Sequence, residues 1–196
     1  MKAPCARLAS ASAGYTLIEL LAVLLIMSVV GTLALPQAEP VAGVRADAAA
    51  REVAQAVRFA QAEAQRTGVN YMARCDLAAG TMALTRLDTT VTPPAPDLSV
   101  PVLHPIDKKD YRIVFSASQS TTGAAITTCA FTYSDGKTVP QLTFGDDGAP
   151  VNLVGPKGPD IKALTGFGQI VVAAGRVRRT VLVSAPSGRV TIVPSP

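Results

Sequence analysis

The stretch from Gly14 to Pro36, GYTLIELLAVLLIMSVVGTLALP, decides how the rest of this chain is read. Between Tyr15 and Leu35 the only ionisable side chain besides Tyr15 is Glu19. Twenty-one residues at a helical rise of about 1.5 Å span roughly 31 Å, the thickness of a hydrocarbon core. A carboxylate within such a segment costs on the order of 2.5–3.5 kcal/mol on insertion scales, so Glu19 is a functional candidate with a partner to be found. Lys2 and Arg7 are the only charges ahead of the segment. By the positive-inside bias they hold the N-terminus in the cytoplasm and send the C-terminal bulk across.

A short leader ending in Gly14, an aromatic at Tyr15, then Thr16, Leu17 and, at the fifth position, Glu19 resembles the class III signal of type IV pilins and type II secretion pseudopilins. Tyr15 stands where that family most often has Phe. The resemblance implies cleavage between Gly14 and Tyr15 by a prepilin peptidase and N-methylation of the Tyr15 amine. It also gives Glu19 a role in assembly, neutralising the amine of a neighbouring subunit. A conventional secretory signal is removed with its apolar block, whereas this cut leaves the block on the mature chain as an inner-membrane anchor. The implied partners are other pilin-like subunits, met through the N-terminal helix, and a secretion or pilus assembly platform. Ala22, Ser28, Gly31 and Ala34 are small enough to let helices approach closely.

The 196 residues support one compact domain plus a membrane helix. The expected divisions are a leader at 1–14, a membrane helix at 15–35, an amphipathic periplasmic helix at 36–68 and a periplasmic β domain at 69–196. The formal charge of +4 loses Lys2 and Arg7 with the leader, leaving 16 basic against 14 acidic residues. That is too near neutral for a global attraction to nucleic acid. Cys5 also leaves, so Cys75 and Cys129 remain. In an oxidising compartment an even pair invites a disulfide, and the alternative is two small buried hydrophobes.

Pro36 and Pro40 can each kink or break a helix. Beyond them, from about Val41 to Arg66, Ala50, Val53, Val57, Ala60 and Ala64 recur at steps of three and four. This spacing predicts an amphipathic helix with a face of small residues, stopped at Gly68. Runs rich in Val, Ile, Thr and aromatics then predict strands over 69–75, 81–87, 111–115, 124–133, 138–144, 169–174, 180–184 and 189–193. SDGK from Ser134, GDDG from Gly145 and APSG from Ala185 read as turns between strands. The segment from Thr89 to Pro105, with five prolines, reads as an irregular surface loop.

A long helix followed by an all-β domain, with LTFGDDGAPV in its middle and VLVSAPSGRVTI at its end, resembles the H-type pseudopilin and FimT-like minor pilin group. The resemblance implies an α+β fold, with an antiparallel β-sandwich-like domain packed on the C-terminal half of the helix. Phe144, Gly148, Gly188 and Arg189 carry these motifs. Each also has a purely structural reading, as a core ring, two turn glycines needing positive φ and a solvated strand end.

Catalytic chemistry finds no support. His104 is the only histidine, and it reads as a solvated residue of the Pro-rich loop. No nucleophile is paired with a base, and no P-loop, HExxH or Cys-x-x-Cys is present, so neither an enzyme nor a cofactor is expected. Asp146 and Asp147 supply too few oxygens for calcium, and no metal site is expected. The sharp electrostatic feature is GRVRR, with Arg176, Arg178 and Arg179, followed by Arg189 and with no acidic residue after Asp160. FimT-like minor pilins of some competent bacteria use a C-terminal Gly-Arg-x-Arg motif on DNA. Here the last such motif reads GRVT, with Thr191 in place of the second Arg, so the arginines read either as a solvated hairpin or as a phosphate contact.

Overall fold

The computed structural model describes residues 15–33, 38–115, 121–154 and 160–195. The expected leader, with Gly14, lies outside them. The chain divides into two units, Met1–Gln37 and Ala38–Pro196.

In the first unit, α1 runs over Leu17–Leu33. Apart from Glu19, Ser28 and Thr32 its side chains are apolar on every face, and Leu17, Ile18, Leu24, Leu25 and Met27 are exposed. Such a helix has no polar face to turn to water. At 17 residues it is shorter than the 21-residue apolar run, and among the described residues no helix is long and apolar enough to cross a membrane.

In the second unit, α2 covers Ala38–Thr67 and begins ahead of the expected Val41. Pro40 does not break it, because the first turn of a helix needs no intrahelical partner for its N–H groups. The helix ends at Gly68, whose N–H bonds to the Ala64 carbonyl (2.9 Å) and whose φ is +66°. Ala46, Ala49, Ala50, Val53, Ala54, Val57, Ala60 and Ala64 are fully buried. They form one core cluster with residues from the inner faces of two sheets. A face built from Ala and Val lets both sheets come close to the same helix.

The strands are β1 (Tyr71–Asp76), β2 (Thr81–Asp88), β3 (Ala95–Pro101), β4 (Arg112–Val114), β5 (Ala124–Thr132), β6 (Thr138–Val139), β7 (Gln141–Phe144), β8 (Pro150–Val154), β9 (Asp160–Ala163), β10 (Phe167–Ala174), β11 (Val177–Ser184) and β12 (Val190–Ser195). The larger sheet has the order β3-β2-β1-β7-β8-β9, with β4 pairing the other end of β2. The smaller has the order β12-β11-β10-β5-β6. Among the described residues all strand pairings are antiparallel, so the architecture is α+β, one long helix packed on two antiparallel sheets.

Three strands depart from the sequence reading. β3 lies inside the segment expected to be loop, as an edge strand carrying Pro96 and Pro101. An edge strand needs a ladder on one side only, so prolines are tolerated there. β8 and β9 lie between Phe144 and Gln169, where no strand was expected. Pro140 divides the single strand expected over 138–144 into β6 and β7, which belong to different sheets, so the chain changes sheet at that residue.

Candidate functional site

Glu19 occupies the first turn of α1. The Thr16 hydroxyl accepts a hydrogen bond from the Glu19 N–H (3.3 Å), and the Thr16 carbonyl accepts from Glu19 and Leu20 N–H (3.1 and 3.2 Å). Thr16 is therefore the N-cap, and Thr16-Leu17-Ile18-Glu19 has the spacing of a capping box. The helix dipole favours an anion at this position. The T-x-x-E spacing is a capping signal legible in the sequence, and it gives Glu19 a helix-starting role beside the expected one in assembly.

The two β-domain motifs converge on α2. Gln61 Nε2 donates to the carbonyls of Gly148 and Ser187 (both 2.9 Å), and Gln65 Nε2 donates to the Asp147 carbonyl (3.1 Å). A single glutamine thus holds the β7–β8 turn of one sheet and the β11–β12 turn of the other. Arg58 adds a bond to the Val190 carbonyl (3.1 Å). Gly148 and Gly188 have φ of +78° and +67°. A Cβ at Gly148 would stand 2.2 Å from Gln65 Nε2, and one at Gly188 would stand 2.4 Å from Gln61 Nε2. Both glycines serve the backbone conformation and the docking of the helix amides at once. Phe144 is fully buried and Arg189 is exposed, as their structural readings expected. Asp146 and Asp147 spend carboxylate oxygens within the turn, on the N–H groups of Asp147 (3.0 Å) and Ala149 (2.8 Å).

Cys75 and Cys129 form a disulfide, with Cα atoms 6.4 Å apart. Cys75 lies on β1 of the larger sheet and Cys129 on β5 of the smaller, so the bond staples one sheet to the other.

The arginines do not form one cluster. Arg176 sits in the β10–β11 turn and Arg178 on β11, and both are exposed. Arg179, on the other face of the strand, donates through Nε to Asp47 of α2. Arg189 lies beside Ser184 at the far end of β11, about 20 Å from Arg178 by strand rise. The alternation of an extended strand places Arg179 on the face opposite Arg178. Two exposed arginines give a slope of log affinity against log salt near −2, at about 0.9 per phosphate contact. Any association of duplex DNA with them is therefore expected to be weak at most, and the pair Arg176→Gln and Arg178→Gln to remove it. A slope of −3 or steeper that survives the double substitution would contradict this.

His104 is more engaged than a solvated loop residue. Its Nδ1 is 3.2 Å from an Asp107 carboxylate oxygen, and its ring meets Tyr111 edge-on at 4.8 Å. Burial pushes the neighbouring Glu52 carboxyl above its usual range, and the charge of His104 opposes that rise. Among the described residues no group of three or more His, Cys, Asp or Glu side chains is placed to hold a metal ion.

Residues 9–35 match the family described as the prokaryotic N-terminal methylation motif. No curated protein matches the chain. Among solved structures it is similar to the minor pseudopilin EpsH from the type 2 secretion system of Vibrio cholerae, at 14% identity and a TM-score of 0.46. The similarity covers 76% of this chain and 97% of that one. The matched segment includes Thr16, which caps an apolar helix, and Glu19 in the first turn of that helix, so the amino-terminal segment is similar to the prokaryotic N-terminal methylation motif.

Proposed function

We propose that the protein is a minor pseudopilin, a non-enzymatic structural subunit of the periplasmic pseudopilus of a type II secretion system. The observation that carries this reading is the methylation motif at residues 9–35 running into α1, with Glu19 in its first turn. The apolar run Tyr15–Leu35, of which α1 is the described part, anchors the chain in the inner membrane, and the unit Ala38–Pro196 is periplasmic. Assembly buries the apolar surface of α1 against the helices of other pilin-like subunits. The disulfide is consistent with an oxidising compartment. The alternative within the same class is a FimT-like minor pilin of a type IV pilus. The pairing of Arg179 with Asp47 and the distance of Arg189 from Arg178 weigh against the DNA-binding form of that alternative. Neighbouring genes for a secretion ATPase and secretin, as opposed to pilus assembly or competence genes, separate the two.

The leader is expected to be removed between Gly14 and Tyr15, and the new Tyr15 amine to be methylated. Intact-mass spectrometry of membrane protein from cells expressing the matching prepilin peptidase reads both events in one spectrum. A mature chain that still begins at Met1 would rule the proposal out.

A further inference from the structure

The proposed role in a filament makes no use of the arginines at the β10–β11 hairpin. Arg176 and Arg178 are exposed, and the turn beside them packs on the start of α2, where a Cβ on Gly175 would meet the Ala42 Cβ at 3.6 Å. Next to it Ala124 of β5 pairs with Ala174, and a Cβ on Gly123 would stand 3.7 Å from Arg45 Nη1. The first turns of α2, the β10–β11 turn and the start of β5 therefore form one end of the unit Ala38–Pro196.

That end is one-sided in charge. Among the described residues Arg45, Arg51, Arg176 and Arg178 make no ion pair, whereas Asp47 is paired with Arg179. Glu39 is the one further acid between Ala38 and Arg51, so three positive charges remain in excess. Val41 and Val44, 49% and 69% exposed, add apolar surface on one side of the same helix. The far end of the unit has the opposite sign. From Ala42 to Gln65 the helix rises roughly 35 Å. There Gln65 holds the turn with Asp146 and Asp147, and Arg189 offsets only one of the two.

We infer that the positive end docks on an anionic phospholipid surface, with Arg45, Arg176 and Arg178 on lipid phosphates and Val41 and Val44 at the boundary between headgroups and acyl chains. The inference rests on the inner-membrane anchor of the proposed function. Val41 follows Leu35, the last residue of the apolar run, by six positions, and six residues reach at most about 21 Å, so an anchored chain keeps this end near the headgroups. A guanidinium fork pairs with a phosphate through two N–H groups. Each basic residue near an anionic bilayer strengthens its attraction by a factor of about five, and apolar side chains beside the cations add to it. Contacts too weak to capture free DNA suffice here, because the anchor makes the encounter intramolecular.

The test places the full chain in nanodiscs of phosphatidylcholine alone and of phosphatidylcholine with an equal part of phosphatidylglycerol. Phenylglyoxal modification read by mass spectrometry reports each arginine separately, and Arg74 and Arg189, exposed elsewhere on the unit, are the controls. Arg176 and Arg178 are expected to react at least about fivefold more slowly in the anionic discs, with the controls unchanged, and about 0.5 M salt to restore the rate. Arg178→Gln is expected to remove most of the shielding of Arg176 and Arg178→Lys to keep it, since a charged surface attracts either cation. Equal rates in the two discs, with the chain anchored in both, overturn this inference alone. A chain that enters neither disc overturns the anchor and the inference with it. Shielding that is lost in Arg178→Lys as in Arg178→Gln, or that duplex DNA produces more strongly in the zwitterionic discs, assigns the arginines to another ligand and overturns it too.

Discussion

Glu19→Ala is expected to leave the protein in the membrane and to abolish its incorporation into filaments. Insertion loses nothing, because the substitution removes a costly carboxylate from an apolar segment. Assembly loses a charge that, in the proposed role, neutralises the amine of a neighbouring subunit in a low-dielectric setting. Removing one partner of a buried ion pair typically costs about 3–5 kcal/mol, a factor of a few hundred to a few thousand in subunit affinity. The capping geometry at Thr16 offers a competing explanation, in which Glu19 merely starts the helix. Glu19→Gln separates the two, since glutamine at the third helical position also serves a capping box but carries no charge. Crosslinking of subunits in intact cells reads the outcome. Wild-type incorporation of the Gln variant would reduce Glu19 to a helix-start residue, and wild-type incorporation of the Ala variant would remove it from assembly altogether.

The second large effect belongs to the disulfide. Replacing both Cys75 and Cys129 with Ala is expected to cost about 4 kcal/mol, the loop-closure value for their separation of 54 residues in the chain-entropy model. For a unit of this size that corresponds to a fall of roughly 8–16 °C in melting temperature. Urea unfolding with the wild type in oxidised and reduced forms checks the same quantity without a substitution. A change below about 1 kcal/mol would mean that the shared contact with α2 already holds the two sheets together.

Both helices were legible in the sequence because their signals are periodic and local. The stripe of Ala50, Val53, Val57, Ala60 and Ala64 is buried residue for residue. Pro40 misplaced the start of α2 only because a proline signals a break without saying whether it stands in the first turn. The missing strands lack a local signal. β3 and β8 carry Pro96, Pro101 and Pro150, residues that ordinarily mark loops, and β9 is a four-residue strand without alternation, although each pairs with a neighbour in sequence. The switch of sheet at Pro140 was hidden because a proline marks a break without saying which sheet the chain enters next.

For the candidate site, the methylation signal was legible because it is a linear motif. What the sequence did not show about the arginines is that Arg179 pairs with Asp47 of α2 and that the length of β11 separates Arg178 from Arg189. Gln61 and Gln65 were missed altogether. A glutamine on the polar side of an amphipathic helix gives no sign in sequence that its amide meets two turns from opposite sheets.

That double grip has a mechanical meaning. A pull along α2 reaches the β7–β8 turn and the β11–β12 turn through the same side chain, so tension enters both sheets in parallel. With the helix held at two turns and a covalent strut between β1 and β5, the helix and both sheets form one cross-braced unit, in which no sheet can part from the helix alone.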